Sequence, residues 1–191
     1  SAFFQTLTYT GNGSTPRNLT NDGNSDLKPD FIWTKNRTDG GENHVVTNSS
    51  FGFDAPNATF EGGAGSDETL NGQLSPNSTA KQNNPAATYG YISGHLTDGF
   101  TAAAGSTNGD TMNANSKEFV AWQWKCNAGT TSTNTDGDIN STVQVNQDAG
   151  FSIVTDSPTN NTARSIGHGL GVAPQVVIRR ARTRVESWRV F

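Results

Sequence analysis

The feature that most constrains this chain is an internal repeat with a period of about 145 residues. The two copies share four aligned features: Ala2–Thr8 with Ala149–Thr155, Arg17 with Arg164, Pro29 with Pro174, and Phe31–Arg37 with Val176–Arg182. The alignment predicts a module over residues 1–126, a Thr/Asn/Asp-rich linker over 127–148, and the first strands of a second copy over 149–191. A piece of about 40 residues buries too little surface to fold alone. We therefore expect a longer parent chain, or packing of these strands on the first module or on a neighbouring subunit.

The apolar residues follow the period of two that is typical of β-strands. The best strand is Lys117–Cys126, where Val120, Trp122 and Trp124 share one face and Phe119 and Ala121 share the other. Four further strands are expected, at Thr6–Thr10, Phe31–Asn36, His44–Thr47 and Gly99–Ala103. Because no segment sustains a 3.6-residue apolar period, the sequence predicts an all-β fold.

The composition indicates a thin core between many turns. Asn, Thr, Ser and Gly make up 84 of the 191 residues, and only 31% of residues are hydrophobic. No apolar run approaches the roughly 20 residues that cross a bilayer, so no membrane contact is predicted. A net charge of −4 together with 17 aromatic residues argues against a charged disordered tail. Residues 54–88, rich in Gly, Ser, Asn and Pro, are predicted to be long loops.

Charge is unevenly distributed along the chain. Residues 1–150 carry 7 Lys/Arg and 15 Asp/Glu, a balance of −8, whereas residues 151–191 carry 6 Arg and 2 acidic residues, a balance of +4. A nucleic-acid site would combine a basic groove with several aromatic residues, and one Arg cluster with Trp188 does not supply it. We interpret the basic end as a basic strand pair and predict no nucleic-acid partner.

No catalytic residue, metal site or cofactor is predicted. The three histidines are not at ligand spacing, and a strand rather than a helix is expected after Gly167–Gly171, which excludes a nucleotide-binding loop. Asp136 and Asp138 are close enough to suggest calcium, but the pattern lacks the later bidentate Glu, and a solvated turn is favoured. Cys126 is the only cysteine, so no disulfide can close within the chain.

Aromatic side chains beside amides can bind sugars, because a ring stacks on the apolar face of the sugar while amides bond its hydroxyls. The glycan- or receptor-binding candidates on this basis are Trp33, Tyr89, Tyr91 and Trp188. The alternative is that Trp33, Trp122 and Trp124 fill a core that is short of aliphatic residues. The sequence favours this alternative.

Several segments of the chain also carry a family resemblance. These segments are Phe4–Gly13, Lys28–Arg37, Asp98–Phe100, Phe119–Lys125, Gly150–Thr155 and Gly167–Pro174. They resemble a module of virion and tail-fibre-like proteins of marine bacteriophages, especially those of cyanobacteria. The resemblance implies a lectin-like antiparallel β-sandwich of jelly-roll type with long Gly/Asn/Ser-rich loops. It supplies no catalytic residues, and the second copy departs from it at Arg179–Arg182.

From this resemblance we expect a non-enzymatic structural protein on the surface of a bacteriophage particle, acting in assembly and host contact. A tail fibre or spike is preferred over a capsid-decorating appendage. The expected partners are other copies of the chain, as a homo-trimer or higher oligomer, other virion proteins and a host surface glycan. A glycan-binding adhesion module is the alternative, and a polysaccharide depolymerase using a pair of acidic residues is the least favoured.

Overall fold

The computed structural model describes residues 1–50, 70–71, 73–82, 84–85, 89–106, 111–157 and 162–191. Most of the loops expected over 54–88 fall outside the described residues. The strands are β1 (Phe4–Thr10), β2 (Arg17–Leu19), β3 (Phe31–Asn36), β4 (Val45–Asn48), β5 (Leu70–Asn71), β6 (Asn84–Pro85), β7 (Tyr91–His95), β8 (Phe100–Ala103), β9 (Glu118–Trp124), β10 (Ser132–Asn134), β11 (Ser141–Asn146), β12 (Phe151–Asp156), β13 (Ile178–Arg179) and β14 (Arg189–Val190). The described residues contain almost no helix, which confirms the predicted all-β class.

The main sheet has the strand order β1-β9-β3-β4, and all its neighbours are antiparallel. Strand β9 lies in its interior, because Trp124 is opposite both Phe4 of β1 and Phe31 of β3. Beyond β4, Leu74 forms an antiparallel bridge with Val46. The Trp-rich strand β9 thus pairs with two strands from the start of the chain, β1 and β3.

A second sheet, β2-β8-β7, faces the main sheet across the core. The core cluster contains Leu7, Ile32 and Ala121 from the main sheet and, from β2, β7 and β8, Leu19, Ile92, Phe100 and Ala102. Two antiparallel sheets that share one apolar interior form a β-sandwich. The inner face of β9 is the one that carries Phe119 and Ala121, both fully buried. No described helix is long and apolar enough to cross a bilayer.

A third sheet, β10-β11-β12, follows the sandwich. It includes β10 and β11, both of which lie in the segment 127–148 that the sequence predicted as a linker. This segment is therefore built into a sheet with β12, in which Val143 is opposite Val154. The division of the chain into a module and a second copy stays a prediction.

Two buried polar residues join the third sheet to the main sheet. The Asp30 carboxylate, at the start of β3, accepts hydrogen bonds from Cys126 N at 2.6 Å, Ala128 N at 3.0 Å and Ser49 Oγ at 2.7 Å. Gln144 of β11 bonds to main-chain and hydroxyl groups from both sides of the junction: Asn127 N, Gly129 N, Ser49 Oγ and Ser50 Oγ. Side-chain hydrogen bonds thus fix the junction in place.

Candidate functional site

Five aromatic side chains cover the face of the main sheet that points away from the core, and we refer to them as the outer aromatic row: Phe4, Phe31, Trp33, Trp122 and Trp124. They share this face because successive side chains of a strand point to opposite sides, and their inward-facing neighbours form the core. Register places Trp124 between Phe4 and Phe31, and Trp122 opposite Trp33. The interpretation that the tryptophans fill the core is wrong, because they are half-buried on the opposite face.

The rings of the outer aromatic row pack mainly edge to face. Trp124 lies 4.8 Å from Phe4 and 5.4 Å from Phe31, measured between ring centroids. The ring of Phe151, at the start of β12, stacks on Trp124 at 6.2 Å and an interplanar angle of 21°. Trp33 and Trp122 form a second pair at 6.1 Å and 77°. The result is an aromatic surface in which each ring is held by its neighbours.

The polar atom of Trp33 is already satisfied within the fold. Its Nε1 donates to His44 Nδ1 at 3.0 Å, and the two rings meet edge to face at 5.9 Å. Burial, with a smaller contribution from the positive charge of Lys35, lowers the pKa of His44. The imidazole is therefore neutral at pH 7 and can accept this bond. Contacts from Trp33 to any ligand would come from its ring.

The other predicted glycan-binding residues lie elsewhere. Tyr89 is 37% exposed, and Tyr91 is half-buried on β7, an edge strand of the second sheet. Trp188 donates from Nε1 to Ser75 O at 2.9 Å, and the Arg180 guanidinium lies 5.2 Å from its ring centroid. Among the described residues no ring contact joins any of these three to Trp33. The structure thus places Trp33 on an aromatic surface without the other three candidates.

The carboxylates considered for calcium have structural partners. Asp138 accepts hydrogen bonds from Ser165 N and Ser165 Oγ, both at 2.7 Å, and these bonds lower its pKa. Asp136 is bonded to Asn134 through both its main-chain N–H and its carboxylate. No cluster of three or more His, Cys, Asp or Glu in the described part of the chain could hold a metal ion. The hydrogen bonds from Ser165 to Asp138 hold the segment around Ser165 against this turn.

The glycine-rich segment before β13 is a tight connection. A Cβ at Gly167 would clash with the side chain of Asn134, and Gly169 and Gly171 have φ of +75° and +76°, a region that favours glycine. The next regular element is strand β13, not a helix. This agrees with the rejection of a nucleotide-binding loop.

Cys126 is a buried thiol at the junction of the sheets. Its Sγ donates to Gln144 O at 2.9 Å. Burial, assisted by the negative charge of Asp30, raises its pKa to about 12. A thiol with this pKa is protonated at neutral pH and is a poor nucleophile.

The C-terminal segment carries most of the exposed large apolar side chains of the described residues. We call this set the C-terminal apolar surface: Val172, Val176, Val177, Ile178, Val185, Val190 and Phe191, each 41–74% exposed. Elsewhere in the described residues only Phe4 and Tyr89 are large, apolar and exposed, both at 37%. The sequence predicted the positive charge of this end but not its exposure, because an apolar run normally predicts a buried strand.

Polar groups hold this segment against residues 75–82. Arg180 donates to the main-chain oxygens of Ser78 and Ala80. Arg182 Nε donates to Gln82 Oε1 at 2.6 Å, and Gln82 N donates to Arg182 O at 2.8 Å. The segment is thus anchored through its arginines, while its valines and Phe191 face outward. This arrangement leaves the apolar side chains available to another molecule.

A comparison with known families identifies the chain as a member of one of them. The family model for a domain of unknown function, DUF7483, matches residues 1–191, so the chain belongs to this family. No curated protein and no solved structure gives a significant match.

Proposed function

We propose that this chain is a non-enzymatic structural protein of a bacteriophage particle, acting in assembly and host contact. The observation that carries the proposal is the C-terminal apolar surface. The resemblance of the strand motifs to phage virion modules supplies the kind of particle. A tail fibre or spike is the preferred location, with copies of the chain and other virion proteins as partners.

The energetics favour a covered surface over a bare one. Burying a Val or Ile side chain contributes about 1.5–3 kcal/mol, so covering Val176, Ile178 and Val190, which share one face of the hairpin, could contribute roughly 5 kcal/mol. Exposed apolar patches on a protein surface mark contact sites. In a particle, neighbouring subunits are always present and can keep the C-terminal apolar surface covered.

The direct test is the location of the chain in a phage. Particles of the phage that encodes it are purified on a density gradient and labelled with gold-conjugated antibodies against the chain. We expect gold at a defined appendage or on the capsid surface, and a stoichiometric band of the chain in the particle proteome. A chain that stays in the soluble lysate and is missing from purified particles would refute the proposal.

A second candidate function, glycan binding, is favoured by the outer aromatic row. Partly exposed rings on one face of a sheet can stack on the apolar faces of sugars. A glycan array followed by calorimetric titration tests this, with Trp122→Ala and Phe191→Ala as a matched pair of variants. Glycan binding predicts at least a tenfold loss of affinity for Trp122→Ala and none for Phe191→Ala. Equal affinities, or no binding to any glycan, would remove this candidate.

A further inference from the structure

The C-terminal hairpin β13–β14 contains the counterpart of β3 in the sequence repeat. In the first copy Trp33 is opposite Val46 and Thr34 is opposite Val45. The sequence repeat places Ile178 at the position of Trp33 and Arg179 at that of Thr34. The structure pairs these residues antiparallel with Val190 and Arg189. Strand β13 therefore takes the position of β3 in the repeat, with β14 paired to it antiparallel as β4 is to β3.

The two edges of β13 can be assigned from its hydrogen bonds. Val177 and Phe191 exchange a pair of main-chain bonds, each 3.0 Å long. Because such pairs alternate along antiparallel strands, the N–H and C=O of Ile178 point away from β14. In β3 the corresponding residue is Trp33, and its main-chain N–H and C=O point toward β9. This follows from the bond of Arg37 N to Glu118 O, because Arg37 lies an even number of residues beyond Trp33.

The edge of β13 that points away from β14 is open. In the part of the chain that the structure describes, β13 has a single strand neighbour, β14. The strand β12, which corresponds to β1, is already paired with β11. Among the described strands, none lies on the side of β13 that corresponds to the β9 side of β3.

We propose that the open edge of β13 binds an extended segment of a neighbouring polypeptide with the alternating pattern of β9. In that pattern Val120, Trp122 and Trp124 share one face, and Phe119, Ala121 and Gln123 share the other. Main-chain bonds to Ile178 would supply affinity, and Val176 and Ile178 would contact the side chains of the added strand. The inference rests on the proposed assembly role and names the partner of the C-terminal apolar surface.

The test uses a fluorescent peptide with the sequence of residues 117–126, carrying Cys126→Ser, titrated with the full chain and followed by anisotropy. The control peptide has the same composition in a scrambled order without period-two alternation. We expect saturable binding of the first peptide and at least tenfold weaker binding of the second. Equal binding of both peptides, or binding of neither, would overturn the inference without affecting the location of the chain in particles.

A pair of proline variants locates the binding edge. Ile178→Pro removes an N–H at the open edge, and Val190→Pro removes one at the opposite edge of the same hairpin. Neither residue supplies the bonds between Val177 and Phe191, so the hairpin is retained. We expect at least a tenfold loss of peptide affinity for Ile178→Pro and less than a threefold loss for Val190→Pro.

Two further outcomes would contradict the proposal. One is an Ile178→Pro variant that binds the peptide as tightly as the wild-type chain does. The other is a wild-type chain that has the mass of two copies in light scattering while Ile178→Pro is monomeric. The second result would assign the edge to another copy of β13. Main-chain amide exchange gives an independent measurement, since the peptide is expected to slow exchange at Ile178 and not at Val190.

Discussion

Replacing Asp30 by alanine tests whether the junction between the main sheet and the third sheet depends on one buried carboxylate. Asp30 is fully buried and accepts bonds from two main-chain N–H groups, those of Cys126 and Ala128, and from Ser49 Oγ. Without the carboxylate, Ser49 Oγ still has Gln144 Nε2 at 3.0 Å. The buried N–H of Cys126 keeps no acceptor, which costs about 1–3 kcal/mol, whereas Ala128 is exposed and water can replace its partner.

The expected loss of unfolding free energy is therefore about 2 kcal/mol, a sizeable part of the roughly 5–15 kcal/mol of an ordinary domain. With a urea m-value of about 2 kcal/mol/M, the midpoint of Asp30→Ala falls by about 1 M. Asp30→Asn keeps one acceptor oxygen and should lose about half as much. The exposed Asp22 gives the control, since Asp22→Ala should change stability by less than about 0.5 kcal/mol. A midpoint for Asp30→Ala within about 0.5 M of the wild type would refute this account of the junction.

Three further predictions concern single side chains. Trp124→Ala removes contacts to three aromatic rings and should lower the melting temperature by about 5–10 °C, corresponding to about 2–3 kcal/mol; an unchanged melting curve would show that the ring contacts do not stabilise the fold. Cys126, with its pKa raised to about 12, should resist iodoacetamide at pH 8 in the native protein and react once urea unfolds the chain. Intact mass measures the labelling, and rapid labelling of the native protein would contradict this prediction. Because the pKa of His44 is lowered in the folded state, the unfolded chain binds a proton at this residue more readily. The free energy of unfolding should therefore fall as the pH drops through about 6.5. In urea titrations at several pH values, His44→Gln should reduce this dependence of stability on pH.

The sequence predicted the strands of the sandwich well, because their alternation is a local signal. Phe31–Asn36 forms β3 with the predicted ends, and the predicted strand over Lys117–Cys126 contains β9. Which face of β9 is buried could not be read from alternation, since Phe119 and Ala121 on one face and the tryptophans on the other are all apolar. The pairing of β9 with both β1 and β3 is a long-range property that no local pattern shows.

Two other features were hidden for different physical reasons. Composition suggested a linker over residues 127–148, since Thr, Asn and Asp conceal the alternation of Val143 and Val145 in β11. The junction contacts of Asp30 and Gln144 depend on this strand and could not be predicted without it. For the candidate site, the sequence predicted the involvement of Trp33. It did not predict the hydrogen bond of Trp33 to His44 or the open strand edge at Ile178. An apolar run predicts that its side chains are buried, but not whether the same chain or another one buries them.

The central claim is that the C-terminal apolar surface is covered by a neighbour inside a phage particle. Hydrogen exchange followed by mass spectrometry tests it, comparing peptides that span residues 172–179 in purified particles and in the isolated chain. The account predicts that the amide of Ile178 exchanges at least tenfold more slowly in the particle. An equal rate in the two samples would show that this surface stays open after assembly and would contradict the account.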